Sequence, residues 1–271
     1  MLLPELREQV LEANLELVKR GLVLYTFGNA SGVDRAEGLV VIKPSGVDYD
    51  DLGPEHMVVT DLEGKVVEGE LRPSSDLDTH TLLYREFPAI GGVVHTHSEY
   101  ATSFAQAGLP IPALGTTHAD YFYGAIPCTD PLSDDSIGGR YVHETGLAIV
   151  RRFHGHLSRP VMAQPAHDPT HNLGSLEAIS TVAVGGNSAR ETHGRLDPLA
   201  VPACLVAGHA PFVWGRTPRE AAHNAVVLEA VARMAYRTLT LQAEAGEVSQ
   251  ALLDRHYFRK HGASATYGQP K

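Results

Sequence analysis

Cysteine and tryptophan are scarce in this sequence of 271 residues, with two of the first and one of the second. Cys128 and Cys204 are too few for a disulfide framework, and they form no CxxC pair. No apolar run approaches the roughly 18–20 residues needed to cross a bilayer. Basic charge is short as well: 22 Lys and Arg stand against 32 Asp and Glu, for a formal charge of -10. Such a chain has no general electrostatic pull on nucleic acid or an anionic membrane, so any anion it binds must meet a local site. The opening MLLPELREQVLEANLELVKRG lacks a basic lead, an apolar stretch and a small-residue cleavage site. A soluble cytoplasmic protein is therefore expected. The absence of GxGxxG and GxxxxGK[ST] argues against the common nucleotide-binding folds, and no internal repeat is visible.

Hydrophobic residues make up 43% and charged residues 20%, an ordinary globular balance in a chain long enough for one large domain or two small ones. The unusual abundance is histidine, with fifteen. Imidazole is the commonest metal ligand and the usual acid–base group near neutral pH, so the positions of these histidines carry the argument.

Leu6, Val10, Ala13 and Leu17 recur at helical spacing, and Gly21 after Lys19-Arg20 reads as the stop of that helix. Thr26 to Gly32 is too rich in small and turn-forming residues to be a regular element. Leu39 to Ile42 reads as a buried strand running into Lys43-Pro44-Ser45-Gly46, and Met57 to Glu68 as two strands around Glu63-Gly64. Ser74-Ser75-Asp76 opens a helix that ends before Pro88, and Gly91 to His97 is a strand with a polar end. Cys204-Leu205-Val206 is a short strand before a turn at Gly208-His209. Thr217-Pro218-Arg219-Glu220 is a capping-box pattern with Pro at the first helical position, and the helix after it runs to about Leu241. The mixed order of elements predicts one α/β domain around a largely antiparallel sheet. His154 to Leu199 fits neither period and reads as an atypical insert or long loop.

His95-Thr96-His97 ends an apolar strand, where side chains at i and i+2 share a face and can reach one ion. Two unrelated polar residues at a strand end would look the same. A third ligand is needed for a site with an open position, and His209 is the best candidate by context. His154-Gly155-His156 has the same spacing without a strand before it. Gly28-Asn29, Ser45-Gly46 and Ser74-Ser75 combine backbone N–H groups or hydroxyls with a turn or helix start that suits an anion, and Lys43 could add a point charge. Each pair is also a plain turn signal. Asp76 lies in a first helical turn, where a carboxylate is favourable with or without a function. Thr116 to Tyr121 is a dense polar cluster, in which Asp120 is either an acid–base group or a turn aspartate.

Taken together, QVLEANLELVKRGLV, GNASGVDR, VIKPSGVDYDDL, PSSDLDTHTLLYREFPAIGGVVHTHSEYAT, AQAGLPIPALGTTHADYFYGAIPC and LLDRHYFRKHGASATYGQ resemble the class II aldolase/adducin superfamily, and within it the L-ribulose-5-phosphate 4-epimerases. The resemblance covers about 1–153 and 200–271, and it implies a single α/β domain over 1–271, its mostly antiparallel central sheet flanked by helices. It also implies that His95, His97 and His209, with Asp76 beside them, bind a divalent ion, zinc first and Mn2+ or Co2+ as other choices. Gly28, Asn29, Lys43, Ser45, Gly46, Ser74, Ser75 and Thr116 would hold the substrate and its phosphate. Asp120 and Tyr267 would be the two acid–base groups, with His256 as their neighbour. The aldolase relatives typically carry Glu where this chain has Asp76, which favours the epimerase.

The implied reaction inverts C4 of a phosphorylated pentulose, whose C4 proton is not acidic, by retro-aldol cleavage, rotation of the aldehyde and re-addition. Inversion needs a proton donor or acceptor on each side of the aldehyde. The resemblance also implies a homotetramer with active sites at subunit interfaces. The chain departs from the family in three places. Ala207 precedes Gly208-His209 where a first histidine is usual, Val142 replaces an acidic residue, and the 154–199 segment is longer than the family's short connection. A class II aldolase that releases its fragments, and a non-catalytic adducin-like binding domain, are the alternative expectations.

Overall fold

The computed structural model describes residues 1–155, 195–262 and 265–266. Most of the 154–199 stretch, His156 with it, and Tyr267 lie outside the described residues. In chain order the elements are α1 (Pro4–Lys19), β1 (Asn29–Asp34), β2 (Leu39–Ile42), β3 (Val58–Asp61), β4 (Val66–Glu68), α2 (Leu77–Glu86), β5 (Gly92–His95) and α3 (Glu99–Gln106). There follow α4 (Thr116–Ala119), α5 (Asp134–Gly138), α6 (Tyr141–Phe153), β6 (Ala203–Leu205), β7 (Pro211–Gly215), α7 (Pro218–Leu241) and α8 (Gln250–His261). Two short 3-10 turns link β2 to β3. The seven strands form one sheet in the order β4-β3-β2-β1-β5-β7-β6, with every neighbouring pair antiparallel. This is the expected single α/β domain with its antiparallel sheet flanked by helices.

The stretch expected to be irregular contains the central strand. β1 starts at Asn29 and pairs with β2 on one side and β5 on the other. Its small residues answer a steric demand. Gly32 sits opposite Gly92, and Gly92 opposite Gly215, so three glycines form one row across β1, β5 and β7. A Cβ on Gly32 would lie 2.7 Å from both Leu6 and Pro218, one on Gly92 2.5 Å from the Pro218 Cα, and one on Gly215 2.7 Å from the Ala221 nitrogen. The row is bare because the start of α7 lies directly on it. Close backbone approach is the reason glycine appears inside a strand here.

The two sheet faces carry different helices, as alternation along a strand requires. Ala30, Val94, Val213 and Ala203 pack with α1, α3 and α7 residues such as Leu17, Phe104 and Leu228. Val33, Val93, Phe212, Trp214 and Cys204 pack with Leu83, Tyr84, Phe87, Ile149 and Phe153 of α2, its cap and α6. Each large side chain fully buried this way contributes roughly 1.5–3 kcal/mol of transfer free energy. The fully buried Asn14 of α1 closes the ladder where β1 runs past β2: its Oδ1 accepts from the Ala30 N–H at 2.9 Å, and its Nδ2 donates to the Ala30 carbonyl at 3.3 Å.

Two local expectations change. The Thr217 hydroxyl accepts from the Glu220 N–H at 3.1 Å, but Glu220 reaches back to the Arg216 N–H at 2.8 Å and not to Thr217, so only half the box forms. β5 stops at His95, which leaves His97 beyond the strand on the approach to α3.

Candidate metal centre

The register that aligns the glycine row also aligns a second row three residues along each strand. Asn29 of β1 lies opposite His95 of β5, and His95 opposite Phe212 of β7. An odd offset turns these side chains to the opposite face, toward α2 and α6. His95 is buried and stacks on Phe212, ring centroids 4.2 Å apart at 19°. Its Nδ1 lies 2.9 Å from the Pro211 carbonyl, which can only accept, so Nδ1 carries the hydrogen and the Nε2 lone pair faces out of the sheet. A backbone carbonyl on the far nitrogen is the usual way a ligating histidine is oriented.

His97 Nε2 lies 3.2 Å from His95 Nε2. His209 comes in on the turn between β6 and β7, closed by the His209 N–H to the Val206 carbonyl at 2.9 Å and by Gly208 at φ 71°. Its ring centroid is 4.9 Å from that of His95 and 5.1 Å from that of His97. One nitrogen from each of the three lies within 4.8 Å of the others.

The donor set fits a divalent cation. Burial pushes all three imidazoles toward the neutral form that ligates, with His209 down to about 4, helped there by the neighbouring His95 and His97. His209 Nδ1 is buried without a hydrogen-bond partner.

Asp76 is the residue just before α2, yet its side chain makes no cap. Its Oδ2 accepts from Asn29 Nδ2 at 2.7 Å. Burial works to raise its pKa, but His95, His80, the Asn29 bond and His209 outweigh that and hold the carboxyl below the usual range. Asp76 therefore faces the triad as a carboxylate.

The three loops expected to bind an anion meet at the same end of the sheet. Pro44 bridges to Pro73, the Ser45 N–H bonds to the Arg72 carbonyl at 2.9 Å, and the Ser74 N–H to the Lys43 carbonyl at 3.0 Å. Ser74 is buried, and its Oγ accepts from the Asp76 N–H at 3.3 Å, whereas Ser45, Gly46 and Ser75 are exposed. Gly28 is tied in by Tyr49, whose hydroxyl donates to its carbonyl at 2.9 Å. Lys43 is fully buried. Its ammonium donates to the Val47 carbonyl at 2.8 Å and the Pro44 carbonyl at 3.3 Å, and it lies 4.6 Å from the Tyr49 ring centroid. It orders the loop from within.

Asp120 is not among these groups. Thr116 is exposed at the start of α4, and Asp120 closes that turn against α8. Its carboxylate accepts from Arg259 at 2.9–3.1 Å and lies 3.0 Å from His256 Nδ1 and 3.6 Å from Lys260. Burial works to raise its pKa, while Arg259, His256 and Lys260 lower it further than burial raises it. Among the described residues its side-chain bonds run to α8, and none reaches the triad.

Sequence reading missed two neighbours of the centre. Tyr141, first residue of α6, places its ring 6.0 Å from that of His209. The fully buried His80 stands four residues after Asp76 and bonds through Nδ1 to Ser31 Oγ at 2.7 Å. The spacing of His80 from Asp76 on one helix face was the available signal. It needed a strand at 29–34 to give it a partner.

The chain belongs to the Class II Aldolase and Adducin N-terminal domain family, whose profile matches residues 8–236. An L-fuculose 1-phosphate aldolase structure shares 20% identity over 95% of this chain and 96% of that chain, with a TM-score of 0.65. YgbL from Klebsiella pneumoniae, provisionally described as an aldolase/epimerase/decarboxylase, shares 22% over 93% and 97%, with a TM-score of 0.62. An aldolase II superfamily protein from Pseudomonas syringae shares 11% over 98% and 86%, with a TM-score of 0.65. These likenesses show the fold, and family and triad together define a class II aldolase-type domain with a candidate divalent-metal site. Among the described residues no helix is long and apolar enough to cross a membrane.

Proposed function

We propose that the protein is a 4-epimerase that interconverts L-ribulose 5-phosphate and D-xylulose 5-phosphate in the cytoplasm. The observation that carries this reading is Asp76 beside the triad of His95, His97 and His209, an aspartate where the resemblance expects glutamate in aldolases. A divalent ion on those histidines, zinc by the preference of a nitrogen-rich set, supplies Lewis acidity toward the negative charge that develops at C2 and C3 as the C3–C4 bond breaks.

The protein's own groups do the rest. Asn29, the backbone at Gly28 and the exposed Ser45-Gly46 and Ser75 turns, with Ser74 beneath them, keep the phosphate in place while the aldehyde rotates. Asp120, held ionised by Arg259 and His256, takes the C4 hydroxyl proton on one side. Tyr267 serves the other side, and Thr116 lies at the start of the helix that carries Asp120. Since Asp120 bonds to α8 and not to the triad, a complete site draws Asp120 and His256 from a second copy. In this reading the protein works as a homotetramer with active sites at its subunit interfaces.

Product analysis tests the reading. Zinc-loaded protein given L-ribulose 5-phosphate is expected to yield D-xylulose 5-phosphate. Dihydroxyacetone and glycolaldehyde phosphate as the main products would make it an aldolase. No turnover with metal bound would leave the binding-domain reading.

A further inference from the structure

Asn29 and Ser31 point from one face of β1 toward α2, and Asp76 and His80 stand on successive turns at the start of that helix. The strand period of two meets the helix period of four. Asn29 bonds to Asp76 at 2.7 Å and Ser31 to His80 at 2.7 Å, while Tyr84, one further turn along α2, returns to Ser31 at 2.8 Å. Ser31, His80 and Tyr84 are all fully buried.

Direction in this chain follows from counting hydrogens. Ser31 is the one side-chain partner of the Tyr84 hydroxyl among the described residues. If Tyr84 donates to Ser31, Ser31 is free to donate to His80 Nδ1, and the imidazole proton sits on Nε2. Either direction leaves one hydrogen over: the reverse strands the Tyr84 hydrogen in the core, where an unpaired donor costs about 1–3 kcal/mol, whereas the forward direction leaves it on His80 Nε2, in the field of the Asp76 carboxylate. His80 Nε2 is itself buried without a partner, as is Asn29 Oδ1 on the neighbouring rung. Asp76 is the charge that acts most strongly on His80.

We propose that His80 is a positioning residue for Asp76, held as the Nε2–H tautomer by the Tyr84–Ser31 pair and presenting that proton to the Asp76–Asn29 pair. Burial keeps this imidazole neutral, its pKa pushed down to about 3, so what it offers is a fixed donor and not a titrating charge. Asn29 holds one carboxylate oxygen of Asp76 at 2.7 Å, and the His80 Nε2–H adds a dipole fixed one helical turn further on, so that together they keep Asp76 turned toward the triad. The inference rests on reading Asp76 as part of the site, and its test is separable from that reading.

Long-range 1H–15N correlation spectra of metal-free protein labelled at histidine, with the His80 signal assigned by its loss in His80→Asn, read the tautomer directly. The expected spectrum shows Nε2 protonated and Nδ1 bare, with Ser31→Ala shifting the pattern toward Nδ1–H. Protonated Nδ1 in the wild type, or no change in Ser31→Ala, overturns the proposal. Zinc affinity by chelator competition supplies a second readout. His80→Leu is expected to weaken binding about tenfold or more, and His80→Gln, which keeps an N–H donor, to recover most of it. Equal affinity in Leu and Gln variants that melt like the wild type would also overturn it. A wild type that binds no zinc strikes the metal-centre reading alone, because the metal-free spectrum still decides this one.

Discussion

His95 and Asp120 are both side chains with several partners from distant parts of the chain, and the partners differ in kind. His95 is fixed by neutral groups: a carbonyl at 2.9 Å, a stacked Phe212 and the register of three strands. Asp120 is fixed by the cations of Arg259 and Lys260 and by the His256 imidazole, all on α8. Neutral packing holds its geometry whatever the ionic strength. Ion pairs at a partly exposed rim are screened by salt, and each contributes little on its own. The triad is thus anchored to the sheet through His95, while the Asp120 group depends on how α4 and α8 sit together.

The sharpest way to break this contrast is His97→Ala. It should remove tightly bound metal and lower kcat/KM by at least about a hundredfold, the scale for losing one electrostatic stabiliser, with the circular dichroism unchanged. Full activity with full metal content would end the assignment of the triad. Asp120→Asn should separate the two regions: metal content by elemental analysis stays at the wild-type level while kcat falls about a hundredfold, the lower range for a lost acid–base group.

Gly32→Val acts on the sheet alone, since its side chain meets Leu6, Pro218 and Val10. Urea unfolding should show a loss of about 1–3 kcal/mol, as for other overpacked cores. The smallest effect concerns α4. His118 is buried and neutral, its pKa pushed down to about 4 by burial although its bond to the Gly124 carbonyl works the other way. Below the ordinary histidine pKa of ~6.5 the unfolded chain takes up a proton that the folded chain refuses, so stability falls as pH drops from ~6.5 toward the folded value. Between pH ~7 and ~5.5 this amounts to about 1 kcal/mol, and denaturation at the two pH values should show that slope flattened in His118→Gln.

Much of this molecule was legible where periodicity was undisturbed. α1, β2, the β3–β4 hairpin and α7 follow their apolar spacing, and of the three candidate ligands His95 ends a strand, His97 lies just past it and His209 sits in the expected turn. β1 was hidden for a physical reason. Strand propensity rewards β-branched and aromatic residues that fill a half-buried surface, while Asn29 to Gly32 leaves that surface bare so that helices can approach. Losing β1 also hid the Ser31–His80–Tyr84 chain, because a histidine inside a helix has no visible partner until the strand opposite it is known. Lys43 misled in the other direction. A lysine beside Pro-Ser-Gly reads as an anion contact, yet its ammonium is turned inward to the Val47 and Pro44 carbonyls.

The bare row of Gly32, Gly92 and Gly215 has a consequence for mutational tolerance. In a saturation scan scored by activity, these three positions would accept almost nothing, and would rank with His95 and His97 although they face away from His95 across the sheet. Scoring abundance alongside activity would sort them: the glycines fail both measures, the histidines only the second. Intolerance of substitution in this sheet therefore marks two separate rows, one that the helix rests on and one that the chemistry uses.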